Sequence, residues 1–296
     1  MNFIQQLING LSLGSVYALM ALGYTMVYGI AKMLNFAHGD IIMVGAYALS
    51  LSAMGLAFSS PVLSILIPVL ICMVVCTLLG VVIEKVAYKP LREASPLAVL
   101  ITAIGVSYFL QSCALLIFGS NQRKVDSLIP NYSINLGGIN LTAEAMITLG
   151  VTILIMICLA LFINFTKTGK AMLAVSEDRG AAQLMGINVN NTISITFAIG
   201  SFLAAIASIL FISSYGFVGP YTGAMPGIKA FVAAVLGGIG SIPGAMIGGI
   251  ILGIIESLSK AYISTDLADA IVFAVLIIVL LVKPTGFLGK KTTTKV

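Results

Sequence analysis

The sequence predicts an all-α protein: one polytopic helical membrane domain over residues 1–296, with eight to nine transmembrane segments, some of them discontinuous. Of the 296 residues, 59% are hydrophobic and only 8% are charged, whereas a soluble domain is nearer a quarter charged. Uncharged apolar runs of about 20 residues recur along the chain, which is typical of membrane-spanning helices. The runs do not alternate between apolar and polar residues, which argues against an outer-membrane barrel.

Six continuous apolar runs predict the first six spans in chain order. They are Phe3–Ala31, Ile41–Phe58, Val62–Ile83, Pro96–Phe118, Ala145–Phe165 and Thr192–Tyr215. The pattern then breaks, because Gly216–Gly227 is too rich in Gly and Pro for a regular helix. Ile228–Leu236 is too short to span alone, and the partial run Ala245–Leu258 precedes a last span over Ala268–Val282.

The distribution of basic residues predicts the topology. The loop 84–93, the stretch 164–191 and the tail hold most of them: Lys85, Lys89, Arg92, Lys167, Lys170, Arg179, Lys283, Lys290, Lys291 and Lys295. The positive-inside rule assigns these segments to the cytoplasm. An even number of crossings must then separate residues 191 and 283, so the broken segment 222–238 is expected to cross as a discontinuous helix. The side of the N-terminus stays open, since it depends on how residues 1–58 fold.

The polar stretch 164–191 predicts a short amphipathic helix over about 177–185. Ser176 has the residue type that caps a helix N-terminus with its hydroxyl. Glu177 and Asp178 would then lie at the positive end of the helix dipole.

The same helix is expected to carry an apolar stripe and a defined end. Ala181, Leu184 and Met185 follow one another at helical spacing. Gly186 is a natural C-terminal cap, with Ile187 placed for the apolar contact that accompanies it. An apolar face outside the membrane needs a partner to cover it.

Asn35, His38 and Asp40 lie between two apolar runs, where polar groups are costly unless they face water, protein or a ligand. Asp40 is expected to cap the following helix, while a role of Asn35 and His38 on a transport path stays open. Lys229 lies beside a second interruption, and interrupted segments in both halves of a chain indicate a transporter's path. Ordinary packing of a Gly-rich helix is the alternative. His38 is the only histidine, so a histidine metal cluster within this chain is excluded.

Gly240, Gly244 and Gly248 are spaced by four residues, and Gly249 and Gly253 repeat the spacing. Glycines at this interval form a flat helix face that lets another helix approach closely. The spacing predicts tight helix packing, and a leucine at Gly244 or Gly248 should disrupt assembly.

Three short segments match sequence motifs of enzymes in part, but each lacks either the structural setting or the full residue pattern that its motif requires. The segment Gly10–Gly14 fits the nucleophile-elbow pattern, but that motif needs a strand-to-helix turn. An intramembrane hydrolase with Ser12 and His38 is one alternative. Lys170 and Lys290 both follow a glycine without the Ser or Thr that completes a phosphate loop, so the chain shows no way to use ATP itself. No cofactor is expected, and the small, scattered net charge of +5 does not suggest nucleic acid.

Three blocks of sequence resemble the LivH-type permeases of branched-chain amino acid ABC importers. They are NGLSLGSVYALMALGYTMVYGIAKMLNFAHGDIIMVGAY at Asn9–Tyr47, AVSEDRGAAQLMGIN at Ala174–Asn188, and IKAFVAAVLGGIGSIPGAMIGGIILGIIE at Ile228–Glu256. The resemblance implies a multi-pass subunit of a bacterial inner membrane, surrounded by lipid. It would pair with a second, related permease, two ATP-binding subunits and a periplasmic substrate-binding protein.

The middle block also resembles the wider importer pattern Glu-Ala-Ala, three residues, Gly. Ala181, Ala182 and Gly186 match it, while Gly180 stands where the pattern has Glu. A permease without a nucleotide site must receive the free energy of ATP through contact. We therefore expect residues 176–187 to couple to an ATPase subunit, with Ala181, Ala182, Leu184 and Met185 docked in a groove. A helix lying on the lipid surface is the alternative.

The residues leave two alternative functions open. The first is a stand-alone secondary transporter that uses Asp40, Glu256 or Lys229 for ion coupling, and the second is the hydrolase built on Ser12. The resemblance favours leucine, isoleucine and valine as substrates, while related permeases carry other small amino acids, amides or urea.

Overall fold

The computed structural model describes residues 3–55, 60–125, 127–129, 132–136 and 139–289. Its helices are α1 Phe3–Ala31, α2 His38–Gly55, α3 Pro61–Ile83, α4 Pro96–Phe118, α5 Ala143–Phe165, α6 Lys167–Glu177, α7 Arg179–Leu184, α8 Val189–Tyr215, α9 Ala224–Gly237, α10 Ile242–Tyr262 and α11 Ala268–Val282. The short strands β1 Arg123–Lys124, β2 Ser133–Leu136, β3 Ile139–Thr142 and β4 Phe217–Val218 form two antiparallel pairs, β1 with β4 and β2 with β3.

The helical membrane fold is confirmed. Six helices in the described part of the chain are long and apolar enough to cross a membrane: α1, α3, α4, α5, α8 and α10. The helices α9 and α11 are apolar but shorter. The ends of α1, α4 and α11 coincide with the predicted ones, because each is bounded by polar residues, Pro or Gly that the sequence displays.

Helix α1 is the centre of the bundle. From Gly14 to Val27 every residue is buried, and α1 packs against α10, α8, α9 and α5. A helix that is apolar all round belongs in a protein interior or a membrane. The lipid-facing helices differ, since long apolar side chains on α3, α4 and α5 are exposed, among them Leu78, Leu116 and Leu154.

The two ends of the bundle can be told apart by their contacts. The basic end is formed by residues 84–95, 166–188 and 283–289. The guanidinium of Arg179 donates a hydrogen bond to the carbonyl of Ala31, the last residue of α1. At the other end of the same helix, Nε2 of Gln5 donates to the Asn140 carbonyl at 3.0 Å. Helix α1 therefore starts at the end opposite the basic one. Lys290, Lys291 and Lys295 lie outside the described residues.

Two segments predicted as loops contain helix. Residues 84–93 continue α3 as a π-helical turn, Glu84–Tyr88, and a 3₁₀ turn, Lys89–Leu91. The helix can continue because the fully buried Glu84 is paired with Arg92 and accepts a 2.7 Å hydrogen bond from Ser194. Within the Gly-rich segment, α9 starts at Ala224, and Pro226 is tolerated in its first turn because no N–H is needed there.

Candidate functional site

The first interruption returns the chain into the bundle. The imidazole of His38 lies on Gly23 of α1, where a Cβ would sit 2.4 Å from Nε2. Gly23 precedes the last residue of α1 by eight positions, which is about 12 Å at the helical rise of 1.5 Å per residue. Residues 32–37 are not helical, so they run back from the basic end and α2 begins at depth.

The second interruption meets the first at this depth. A Cβ on Gly39 would lie 2.4 Å from the Gly223 carbonyl oxygen, and one on Gly227 would lie 2.8 Å from the Gly39 Cα. Contacts this close leave no space for any side chain, so the starts of α2 and α9 approach each other through glycine alone. Non-helical backbone at membrane depth is tolerated where protein or a cavity surrounds it.

A cavity of about 550 Å³ opens beside the junction of α2 and α9. Its wall is mostly apolar and includes Tyr24, Phe36, Phe231, Phe273 and Leu276. Small-molecule sites have this size and character, with a few polar groups that orient the ligand.

Asp40 supplies the charged group in the cavity wall. Its side chain is 1% exposed, and Oδ1 accepts a 2.9 Å hydrogen bond from Nε2 of Gln111. The same nitrogen donates to Oγ of Ser107 at 3.2 Å. Within the residues that the structure describes, Asp40 forms no ion pair. The prediction that Asp40 is the N-cap of α2 is wrong, because the helix starts two residues earlier, at His38.

Asn35 and His38 are both buried near the first interruption. Oδ1 of Asn35 accepts a 2.9 Å hydrogen bond from the Tyr88 hydroxyl. The His38 ring stands edge-on to Tyr24 with 4.8 Å between centroids. In the described part of the chain, neither Nδ2 of Asn35 nor Nε2 of His38 has a hydrogen-bond partner.

Three aromatic rings close the cavity toward the basic end. The centroid of Phe231 is 5.3 Å from that of Phe36 and 6.0 Å from that of Tyr24. Beyond these rings a narrow gap lined by Tyr28 and Asn35 has no room for a water molecule. The cavity and Asn35 are thus on opposite sides of an aromatic barrier.

Lys229 is buried in an ion network that reaches the surface at Asp269 and Lys260, and it does not line the cavity. Its Nζ is 2.8 Å from Oε1 of Glu256 and 2.6 Å from Oδ1 of Asp269. Glu256 is fully buried, and its carboxylate also accepts hydrogen bonds from Nζ of Lys260 at 2.6 Å and from the Tyr17 hydroxyl at 2.9 Å. Two lysines and two acids balance their charges, and the network joins α1, α9, α10 and α11.

The glycine spacing in α10 serves packing within the chain. A Cβ on Gly244 would lie 2.4 Å from the Gly237 carbonyl oxygen, and one on Gly248 would lie 2.1 Å from that of Ala233, both in α9. Gly240 does not belong to this helix face. It lies in the turn before α10 with φ of +93°, where a glycine satisfies the backbone and not helix packing.

A short helix, α7, lies where the sequence predicts one, but the prediction of its start is wrong. Ser176 and Glu177 are the last two residues of α6, and Ser176 Oγ donates to the Leu173 carbonyl at 2.7 Å. Asp178 caps α7 instead, since its Oδ1 accepts from the Ala181 backbone N–H at 3.0 Å. Asp178 is the N-cap in place of Ser176, because α6 continues through Ser176 and ends at Glu177.

The end of α7 agrees with the sequence. Gly186 has φ of +81°, and the backbone N–H groups of Gly186 and Ile187 donate to the Gln183 and Ala182 carbonyls, both at 3.0 Å. This pair of bonds is the Schellman motif.

The faces of α7 divide its apolar residues. Leu184 is 91% exposed and Met185 is 82% exposed, whereas Ala182 is buried against this chain. Ala181 is exposed on the same short helix. The free apolar surface therefore consists of Ala181, Leu184 and Met185, and Ala182 is not part of it.

The hydrolase alternative has no geometric support. His38 lies at the level of Gly23, which is eleven positions from Ser12 on α1 and so about 16 Å away along the axis. A nucleophile and its base must be within hydrogen-bond reach.

Sequence reasoning missed the partners that hold the buried acids. Gln111 and Ser107 lie within the apolar run of α4, and Tyr17 within that of α1. The available signal was a polar side chain in the middle of a span. Which acid each of them meets depends on how the helices pack.

Comparison with known proteins gives consistent matches over the whole chain. Residues 6–280 match the family described as "Branched-chain amino acid transport system / permease component". The chain is 46% identical to the high-affinity branched-chain amino acid transport system permease protein LivH of Escherichia coli (strain K12), over 99% of this chain and 98% of the relative. It is 44% identical to the permease protein BraD of Pseudomonas aeruginosa, over 100% and 98%. A probable LivH of Methanocaldococcus jannaschii is 33% identical over 93% and 89%.

Proposed function

This chain belongs to the permease family of branched-chain amino acid transport systems, and we propose that it forms one half of the path through which an ABC importer carries leucine, isoleucine and valine. It is a transport permease of the inner membrane and not an enzyme. Similarity to LivH and BraD along the full length carries this assignment, because both the membrane helices and the segments between them take part in it.

Such a permease works with an ATPase and a substrate-binding protein. We propose the finer composition as well: a second, related permease completes the path, two ATP-binding subunits lie on the cytoplasmic side, and the binding protein is periplasmic. The basic end of the bundle is then cytoplasmic by the positive-inside rule, and α1 starts on the periplasmic side.

This orientation supports nine crossings. The six long helices together with α2, α9 and α11 make nine crossings. An odd number is required, because α1 starts on the periplasmic side and α11 ends on the cytoplasmic side. Both α2 and α9 begin inside the bundle, next to Gly39 and Gly223, so they are the discontinuous segments. Interrupted helices that meet at membrane depth are the usual surroundings of a transporter's substrate path.

For energy coupling we propose that Leu184 and Met185 insert into a groove on an ATPase subunit. Both side chains are almost fully exposed outside the spans, on a helix fixed by Asp178 and by the Gly186 cap. A rigid, capped helix transmits movement better than a mobile loop.

Reconstitution tests the transport function. In liposomes, uptake of labelled leucine should require ATP, the ATPase, the second permease and the binding protein together. Gradient-driven uptake by this chain alone would instead identify a secondary transporter.

A second experiment tests which subunit selects the substrate. Exchange of the binding protein should change the substrate range more than substitution of Asn35 or His38. If substitution of Asn35 or His38 has the larger effect, the substrate is selected by this chain and not by the binding protein.

Crosslinking tests the coupling surface, in a background where Cys113 and Cys158 are replaced by serine. Single cysteines at Leu184 and Met185 should crosslink to the ATPase. A cysteine at the buried Ala182 is the matched control and should not. If the cysteines at 184 and 185 react only with membrane-embedded reagents, α7 lies on lipid and the coupling role is wrong.

A further inference from the structure

An amino acid crosses a membrane as a zwitterion, so a protein path must accommodate two opposite charges and an apolar side chain. An isolated charge is very costly to bury unless a partner of opposite sign or several hydrogen bonds receive it. The cavity beside the α2–α9 junction offers one buried acid, Asp40, in an otherwise apolar wall.

The surroundings of Asp40 differ from those of every other fully buried acid in the described residues. Glu84 is paired with Arg92, and Glu256 with Lys229 and Lys260. Asp40 meets the neutral groups Gln111 and Ser107. Since buried charges in proteins are otherwise paired, the missing counter-ion points to a cation that arrives with the ligand.

The rest of the wall fits the other parts of a branched-chain amino acid. Phe36, Phe231, Phe273 and Leu276 provide an apolar surface for the side chain. The start of α9 also lines the cavity, and its cap residue Gly223 provides no side-chain hydrogen bond. The positive end of the helix dipole there favours the carboxylate.

We infer that this cavity is a transient binding site for the amino acid within the membrane, in which Asp40 receives the α-ammonium group. The inference rests on the proposed transport function. Gln111 holds the Asp40 carboxylate in position, and the barrier formed by Tyr24, Phe36 and Phe231 separates the site from the cytoplasm. Ligands that lack the ammonium group leave Asp40 unpaired and are disfavoured.

Asp40→Asn is the decisive variant in the complete reconstituted importer. Asparagine has the same shape and its amide oxygen can still accept from Gln111, so a purely structural role of Asp40 survives the change. Leucine uptake should fall at least tenfold, while ATP hydrolysis stimulated by the loaded binding protein stays within about twofold of wild type. Glu144→Gln, an acid-to-amide change at a residue outside the cavity wall, is the matched control and should transport normally.

The outcomes separate the two proposals. If the wild-type complex does not transport leucine, the proposed function itself fails. If wild type transports and Asp40→Asn transports equally well, the site is wrong and the function stands.

A second measurement does not depend on the stability of the Asp40 variant. A cysteine introduced at Ile104, in the cavity wall, should react several-fold faster with a cationic than with an anionic methanethiosulfonate of equal size. L-leucine should slow this reaction, and 4-methylpentanoate, which lacks the ammonium group, should not. Equal rates, or a rate indifferent to leucine because lipid or the second permease fills the cavity, would overturn the inference.

Discussion

Gly253→Ala tests whether the central crossing of α1 and α10 is as close as the structure shows. A Cβ at position 253 would lie 2.2 Å from both Cα and N of Gly14. Carbon atoms in contact are about 3.5–4.0 Å apart, so the two helices must separate by roughly 1.3 Å or more. Helix α1 is also packed against α8, α9 and α5, so a shift of α1 away from α10 disturbs those contacts as well.

The expected cost follows from overpacking, which typically destabilises by about 1–3 kcal/mol. Alanine also has a higher helix propensity than glycine, by about 1 kcal/mol, and this gain partly hides the cost of overpacking. Gly105→Ala in α4 is the control, because it has the same gain in helix propensity and nothing lies within 4 Å of the added Cβ. The difference between the two variants therefore reports the close approach alone.

The assay is thermal unfolding of the purified permease complex in detergent, with the yield of folded protein as a second readout. Gly253→Ala should melt several degrees below Gly105→Ala, since 1 kcal/mol corresponds to about 2–4 °C for domains of 150–250 residues. If Gly253→Ala melts at or above Gly105→Ala, the two backbones are not in contact and the packing argument fails.

Three further predictions concern side chains outside the glycine crossing. Glu256→Gln should destabilise by about 1–3 kcal/mol, because buried Lys229 keeps Asp269 but loses its ionised partner inside the bundle; the double variant with Lys229→Met should recover part of the loss in melting temperature. Gly186→Ala should cost about 1 kcal/mol through strain at positive φ and reduce the uptake obtained per ATP hydrolysed, an effect absent if α7 does not couple. Tyr88→Phe should cost about 1–3 kcal/mol by leaving Oδ1 of buried Asn35 without its donor, and an unchanged melting temperature would show that water replaces the hydroxyl.

The packing of α10 also changes the expected effect of substituting its glycines. The helix that faces Gly244 and Gly248 is α9 of the same chain. A leucine at either position should therefore reduce the amount of folded permease itself, before any effect on assembly with a second subunit.

Much of the fold was predictable because membrane insertion depends on local composition. The apolar runs gave the ends of α1, α4 and α11, and the Gly and Pro clusters gave both interruptions. The Gly186 cap was equally predictable from the sequence. The residue that ends a helix often adopts a left-handed conformation, which favours glycine whatever the helix packs against.

Predictions that depended on a choice between local alternatives were less successful. Ser176 and Asp178 can both cap a helix, and the extension of α6 selected Asp178. Residues 84–93 read as a loop because they are charged, yet Glu84 is buried with Arg92 and Ser194 and the helix continues. The partner that neutralises a charged residue lies far away in sequence, so its environment cannot be read locally.

The sequence by itself determined that this chain is a helical membrane permease, because hydropathy, basic loops and short family motifs are properties of contiguous residues. Only the tertiary structure decided that Gly39 meets Gly223 at depth, that Asp40 faces a cavity with neutral neighbours, and that Lys229 belongs to a closed ion network. The physical reason is that these are contacts between helices. A helix's own sequence fixes which face is small or polar, while the crossing of two helices fixes which groups share a buried space and must satisfy one another.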